Sequence, residues 1–355
     1  MAIIELRNIY KKYGKTVAAD IPQLEIKDKE FFGLLGPSGS GKTTTLRIIA
    51  GLETPDRGRV FIDGQDITDL PPEKRNLGMV FQSWALFPHL TAYENIAFGL
   101  RLRKLPEEEI RRRVRWAAEF LRIEELLNRY PHQMSGGQQQ RVAVARAIVI
   151  QPRALLFDEP LSNLDAKLRE RVRFELRKIQ KELGITSVYV THDQAEAFAI
   201  CDRIAVMNEG RIHQIGTPEE IYNKPEDRFV ASFIGITYFI VGKISEYVNK
   251  KEGVALITTE DGLDIQAYAD PNKVSRGDSV HIVIRPDYIS LAKPTDKVNV
   301  FKAKIERATY GGDSIDYEIK VGKWSLRFRT PATLKLPPRD EIKIKLDEKR
   351  LVVIP

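Results

Sequence analysis

Phe31-Phe32-Gly33-Leu34-Leu35-Gly36-Pro37-Ser38-Gly39-Ser40-Gly41-Lys42-Thr43-Thr44 decides the fold of this chain. Its first five residues are an apolar run of strand length, and residues 44–50 follow with a helical pattern. Between them, Gly36 to Thr43 fits G-x-x-x-x-G-K-[ST] in the strand–loop–helix setting that this pattern requires. The residue types answer to a physical need. Glycines let backbone N–H groups close around phosphate oxygens, and a helix N-terminus adds partial positive charge. Lys42 reaches the β- and γ-phosphates of a nucleotide, and the Thr43 hydroxyl is a ligand for Mg²⁺. A glycine turn before a helix would explain the spacing alone, but not the Lys-Thr pair in this setting. Gly36, Pro37, Ser38, Gly39, Ser40, Gly41, Lys42, Thr43 and Thr44 are therefore the expected phosphate-binding residues.

Two further stretches carry chemistry. Ala154-Leu155-Leu156-Phe157-Asp158-Glu159 is an apolar run that ends in two carboxylates. In phosphate-loop enzymes the first such acid holds Mg²⁺. Asp158 fits that role, which leaves Glu159 to polarise an attacking water. Ser135-Gly136-Gly137-Gln138-Gln139 lies between the two motifs. Locally it reads as a capping box, with Ser135 as cap and Gln138 three residues on. Its glycines also leave amides bare, which suits a second phosphate contact.

Outward from these motifs, the chain up to about residue 235 alternates short apolar runs (31–35, 79–81, 154–157, 187–190) with helical segments (106–121, 166–183). That pattern predicts an α/β domain on a largely parallel sheet. Thr217-Pro218-Glu219-Glu220 reads as a helix start, and one or two short helices should run to Phe233. From about Val241 the period is two, as in 280–284, 317–321 and 342–346, with turns at Asp261-Gly262 and Gly311-Gly312-Asp313. This predicts an all-β, barrel-like domain. The expected domains are 1–235, with a helical subdomain at about 83–150, and 236–355.

With 43% hydrophobic and 30% charged residues, the 355-residue chain has the composition of a globular protein, not of a disordered one. The charge balance of +7 permits nucleic acid or an anionic membrane surface as partner without requiring either. Arg101 to Arg115 reads as a solvated helical face. The single cysteine, Cys201, makes no internal disulfide. No apolar stretch is long enough to span a membrane. The expected location is cytoplasmic.

In the order and identity of these motifs the chain resembles the ATP-binding subunits of ABC transporters. Ser135 to Gln139 is similar to that family's signature motif. The resemblance implies ATP and Mg²⁺ as ligands and further roles by position. Tyr13 would stack on adenine. Gln82 would be the glutamine that reaches the metal and the attacking water. Ser162-Asn163-Leu164-Asp165 would be the loop that meets the partner subunit, with Asn163 where Ala is more usual. His192 would contact the γ-phosphate. The family closes two copies head-to-tail over two ATP molecules. Ser135 and Gly137 of one copy would complete the site formed by Lys42, Gln82, Asp158, Glu159 and His192 of the other, and Gly136, Gln138 and Asp165 are further expected nucleotide-binding residues. A homodimer is therefore expected.

The C-terminal region resembles the oligonucleotide/oligosaccharide-type barrels of importer ATPases in the maltose and polyamine/ferric-iron groups. Ile284-Arg285-Pro286-Asp287 looks like their Arg-Pro-Glu motif, and the hinge 233–240 and Tyr310 to Asp313 look closer to the polyamine/iron branch. Trp324 and Phe328 read as core. The resemblance implies an importer ATPase on the cytoplasmic face of the membrane, bound to permease subunits through Trp84, Leu86 and Phe87. An extracytoplasmic solute-binding protein would deliver carbohydrate, polyamine or iron, and no nucleic acid partner is expected. The alternatives are a soluble ABC ATPase acting on nucleic acid or ribosomes, and an ATPase whose β domain is mainly a sensor. Against the first, the interval from Lys42 to Ser135 has no room for a long coiled coil.

Overall fold

The computed structural model describes residues 2–337 and 341–355. By contact the chain divides into two compact units, Met1–Pro218 and Glu219–Pro355.

The first unit is built on a six-stranded sheet in the order Arg211–Gly216, Arg203–Asn208, Phe31–Leu35, Thr186–Thr191, Ala154–Asp158, Leu77–Val80. All neighbours pair in parallel except the edge pair Arg203–Asn208 and Arg211–Gly216. Every residue of the three central strands is buried. That explains why they read as continuous apolar runs instead of alternating ones. Helices Ala92–Leu102, Glu107–Leu121 and Gly136–Ile148 pack on one another, and in the chain they lie between strands Leu77–Val80 and Ala154–Asp158. On Glu107–Leu121 the inward face is Ile110, Val114, Ala117, Ala118 and Leu121, while Arg111, Arg112 and Arg115 face water.

A second sheet departs from the expectation of one largely parallel sheet. Thr16–Ile26, Ile4–Tyr13, Arg57–Ile62 and Gln65–Asp66 form an antiparallel layer in that order. Its alternation is hidden in the sequence because the pairing register shifts at Lys11/Lys12 and again between Arg7 and Tyr10. A bulge interrupts the period of two on which strand reading depends. The layer places Ile4, Leu6 and Ile9 in one apolar cluster with Leu46, Ile48 and Ile49 of helix Lys42–Ala50. The phosphate-loop helix is thus anchored by burial.

In the second unit, Tyr238–Asn249, Val254–Thr259, Asp264–Tyr268, Val352–Ile354 and Ser279–Ile284 close into a barrel. The other five strands, from Ile289–Leu291 to Glu341–Leu346, form a separate sheet. One core joins the two, and it contains Ile257, Ile282, Ile305, Tyr317 and Phe328 with Trp324 packed against it. The short helices Pro218–Asn223 and Arg228–Phe233 form as expected. The contact division nevertheless falls upstream of residue 235. Arg285, wholly buried, lies 4.1 Å from the Tyr222 ring centre and donates to the Ile234 carbonyl. The Tyr222 hydroxyl donates to Asp287 Oδ1 at 2.7 Å. These contacts bind residues 219–235 to the β unit.

Candidate nucleotide site

The buried strand Phe31–Leu35 delivers the chain into the loop 36–41, and helix Lys42–Ala50 leaves it. Gly41 has a left-handed φ of 100°, and a Cβ there would lie 2.1 Å from the Ala18 carbonyl oxygen. A Cβ on Gly36 would lie 2.2 Å from the Met207 carbonyl oxygen. Neither position has room for a side chain. Lys42 is 4% exposed, and its Nζ donates to the carbonyls of Gly36 at 2.9 Å and Pro37 at 2.8 Å. Burial pushes its ammonium pKa down, opposed by the charges of Glu159 and Asp158. A cation held on neutral carbonyls in a dry loop has a strong affinity for an incoming phosphate.

Thr43 Oγ1 donates to Asp158 Oδ1 at 3.1 Å, which joins the phosphate loop to the end of strand Ala154–Asp158. Asp158 is 7% exposed, and burial raises its carboxyl pKa, partly offset by the Thr43 hydrogen bond. These two hard oxygens fit a magnesium ion that takes its other ligands from phosphates and water. Among the described residues no cluster of three or more His, Cys, Asp or Glu could hold a metal by itself.

Folding holds the proton on Asp158 more tightly than the unfolded chain does. Its carboxylate is therefore unfavourable for stability at neutral pH, and that penalty shrinks as pH falls through the raised pKa. Asp158→Asn is expected to raise the urea midpoint of the nucleotide-free chain while lowering ATP hydrolysis at least about a hundredfold. Urea unfolding alongside phosphate release checks this, and a destabilised variant would count against it.

Glu159 begins immediately after the strand, with a left-handed φ of 45° and its N–H donated to the Val190 carbonyl at 3.1 Å. The turn separates its side chain from that of Asp158 and brings Oε2 to 3.1 Å from His192 Nδ1. His192 follows the adjacent parallel strand Thr186–Thr191. A strained non-glycine residue at the mouth of a cleft is a common mark of a working site.

A cleft of about 330 Å³ opens here, lined by Ser38, Gly39, Gly41, Lys42, Thr43, Thr44, Glu159 and Tyr13. Tyr13 is 49% exposed, with the Lys11 ammonium 5.3 Å from its ring centre. Thr16 and Ala18 also line the cleft and were not singled out from sequence; the hairpin signal Tyr13-Gly14-Lys15-Thr16 is the cue that places them. Gly36, Pro37, Ser40, Asp158 and His192 adjoin this site through the bonds described, Ser40 Oγ accepting from Lys42 Nζ at 3.3 Å.

The remaining expected residues lie outside that lining. Ser135 caps helix Gly136–Ile148, accepting from the Gln138 N–H at 3.4 Å, while its own N–H donates to Gln138 Oε1 at 2.9 Å. The adjoining glycines serve close approach. A Cβ on Gly136 would lie 3.1 Å from Trp84 Cη2, and one on Gly137 would lie 3.3 Å from Leu168 Cδ1. Asp165 caps helix Ala166–Leu183 by accepting from the Leu168 N–H at 2.9 Å. Gln82 is exposed, and its carbonyl accepts from Asn163 Nδ2 at 2.9 Å.

Trp84, Leu86 and Phe87 are all half-buried. The Trp84 indole N–H donates inward to the Pro160 carbonyl at 3.3 Å. The Phe87 ring lies 4.6 Å from that of Phe98. Phe98 (37% exposed) and Leu102 (70%), one turn apart on helix Ala92–Leu102, each expose a larger fraction of their surface than these three. The exposed side of that helix was not read from the sequence.

Residues 20–162 match the ABC transporter family, and residues 282–354 match the TOBE domain. Over 323 residues the chain is 46% identical to the spermidine/putrescine import ATP-binding protein PotA of Protochlamydia amoebophila, covering 90% of this chain and 86% of that protein. It is 56% identical over 241 residues to the trehalose/maltose import ATP-binding protein MalK of Thermococcus litoralis, covering 66% and 65%. Among solved structures, it resembles cbiO1 from Clostridium perfringens, part of the ABC transporter complex cbiONQ, with a TM-score of 0.57 and 35% identity over 62% of this chain and 90% of that one. It also resembles a dimeric ATP-binding cassette in a post-hydrolysis state bound to ADP and Pi, with a TM-score of 0.54 and 37% identity over 61% and 98%.

Proposed function

This chain belongs to the ATP-binding proteins of the ABC transporter family and is an ATPase of the importer type, and from that premise we propose the following division of labour. Lys42 and the loop amides hold the β- and γ-phosphates of ATP, and Tyr13 stacks on the base. Thr43 and Asp158 would hold a Mg²⁺ ion, which would supply charge neutralisation on the phosphates, and Gln82 would join them from the exposed segment that follows strand Leu77–Val80. Glu159, oriented by His192, accepts a proton from the water that attacks the γ-phosphorus in line as the bond to the β-phosphate oxygen breaks. ADP and phosphate leave.

The observation that carries the dimeric arrangement is the separation of the two motif groups. Lys42, Thr43 and Glu159 share one cleft, whereas Ser135, Gly136, Gly137, Gln138 and Asp165 do not line it. One chain thus supplies half of each of two sites, and a second copy would bring its Ser135 end to the first copy's phosphates. The dimeric cassette among the similar structures supports this reading.

The importer would sit on the cytoplasmic face of the membrane. No described helix is long and apolar enough to cross a membrane, so attachment would come from permease subunits that meet the region of Trp84, Leu86 and Phe87. A solute-binding protein outside would deliver the cargo. Relatives named for polyamines match along 81–95% of the chain, and the relative named for sugars matches along 66%. We favour a polyamine, with carbohydrate as the second reading.

The test is co-purification of the tagged protein from its host in mild detergent, with mass spectrometry of what accompanies it. Recovery of a polytopic membrane protein is expected. Recovery of ribosomal or DNA-bound proteins alone would overturn the transport assignment while leaving the ATPase chemistry in place.

A further inference from the structure

Next to the nucleotide cleft, one turn is held by side chains from two other elements. Trp84 and Ala85 are consecutive left-handed residues, with φ of 59° and 49°. Neither is of a type that tolerates this region well, and such a backbone persists only where its surroundings over-determine it. Here they do. Arg146 donates to the Ala85 carbonyl at 2.6 Å and to the Trp84 carbonyl at 2.7 Å, and its guanidinium lies 5.9 Å from the Phe87 ring centre. Asn163 Nδ2 donates to the Gln82 carbonyl at 2.9 Å. Trp84 itself donates to the Pro160 carbonyl at 3.3 Å and lies against Gly136.

These partners come from the two elements that the proposed reaction joins. Gly136 and Arg146 stand near opposite ends of the helix that Ser135 caps. Pro160 and Asn163 lie in the loop that follows Glu159, and Ser162 Oγ ties that loop back to the Glu159 carbonyl at 2.9 Å. Neither Arg146 nor Asn163 lines the nucleotide cleft. Asn163 supplies the donor that reaches Gln82, and an alanine in its place would have none.

We propose that Arg146 and Asn163 are positioning residues that act through residues 82–87. They hold the strained turn in one state, and movement of either the Ser135 helix or the Glu159 loop on ATP binding is passed to it. The proposal deepens the reading above, in which this segment lies between nucleotide and permease. It adds which side chains make the turn responsive.

The chain has three tryptophans, so Trp116→Phe with Trp324→Phe leaves Trp84 as the sole reporter. With Glu159→Gln added, so that bound ATP persists, Trp84 emission is expected to change on addition of ATP and Mg²⁺. Asn163→Ala should reduce that change at least about twofold. Arg146→Met should abolish it, with emission already red-shifted before ATP, because the indole has lost its seat. With Glu159 restored, Asn163→Ala should lower kcat about fivefold at a KM within about twofold of the parent, the rate equivalent of one hydrogen bond. Arg146→Lys, which keeps the charge and part of the bonding, should recover part of what Arg146→Met loses.

Lower melting temperatures with an unchanged Trp84 response and kcat would overturn the proposal, because the residues would then be structural only. If Arg146→Met does not fold, Asn163→Ala decides, since its side chain is exposed. ATP binding is measured in the same samples. Absence of binding faults the nucleotide-site reading, whereas binding with no Trp84 response overturns the proposal.

Discussion

Glu159→Gln is expected to cut ATP turnover by about two to four orders of magnitude while leaving ATP binding within about threefold of the parent, the range for removal of a positioned general base. The substitution keeps the volume of the side chain and leaves an oxygen or amide to face His192 Nδ1, which lies 3.1 Å from the native carboxylate. It removes the capacity to accept a proton from water. The groups that grip the phosphates, Lys42 and the amides of the loop, are untouched. Bound ATP should therefore accumulate, and with it the closed pair of chains, visible as a doubled mass by light scattering. Single-turnover phosphate release separates chemistry from binding. Turnover within about fivefold of the parent would remove Glu159 from the role of base and direct attention to His192 or Gln82.

Lys42→Ala is expected to lower ATP affinity by about a hundredfold or more and to reduce hydrolysis to background, since a desolvated ammonium on phosphate makes some of the strongest hydrogen bonds available to a protein. Lys42 is almost wholly buried and already draws the Gly36 and Pro37 carbonyls towards its Nζ. An incoming γ-phosphate replaces neutral partners with an anion at little cost in reorganisation, because the ammonium is fixed in place. The same geometry carries a cost for the fold. Gly36 is buried, and neither it nor Pro37 lines the cleft, so the two carbonyls lose a donor that water does not readily replace. Stability should fall by about 1–2 kcal/mol. Titration with a fluorescent nucleotide is the direct check. Retained affinity within about threefold would mean that the loop amides alone carry the phosphates.

The motifs were legible because each is written in one short stretch. Helix Ala166–Leu183 was read to its ends because Asp165 caps its start and Gly184, with φ of 58°, stops it. The strands that deliver Gly36, Asp158 and His192 were legible as wholly buried runs. What joins these stretches was not written locally. The contact between Glu159 and His192 spans 33 residues of sequence. It exists because Ala154–Asp158 and Thr186–Thr191 are neighbours in parallel register, with Asp158 opposite Val190. Strand order does not follow from either run alone. The antiparallel layer Ile4–Tyr13 to Gln65–Asp66 escaped because bulges broke its period. The inward turn of Trp84 escaped because no Gly or Asn marks its two left-handed residues, and the groups that hold it, Arg146 foremost, lie 62 residues or more further along the chain. Residues 219–235 read as the tail of the α/β unit because their helical pattern continues it. Arg285 holds them to the β unit from far downstream.

Strand Val352–Ile354 closes the barrel by pairing His281 with Ile354, Ile282 with Val353 and Val283 with Val352. It also reaches Tyr268 from the other side. During synthesis this sets a schedule. Four of the five staves are complete by Ile284, yet the fifth begins at Val352, after the whole of the other sheet has been made. At about 5–20 residues per second, the four staves wait on the order of several seconds with two unpaired edges. The sheet that is translated last is therefore free to assemble before the barrel that is translated first. A ribosome that stalls late in that interval leaves a nascent chain whose first unit is already made and whose β unit still presents bare strand edges to its neighbours.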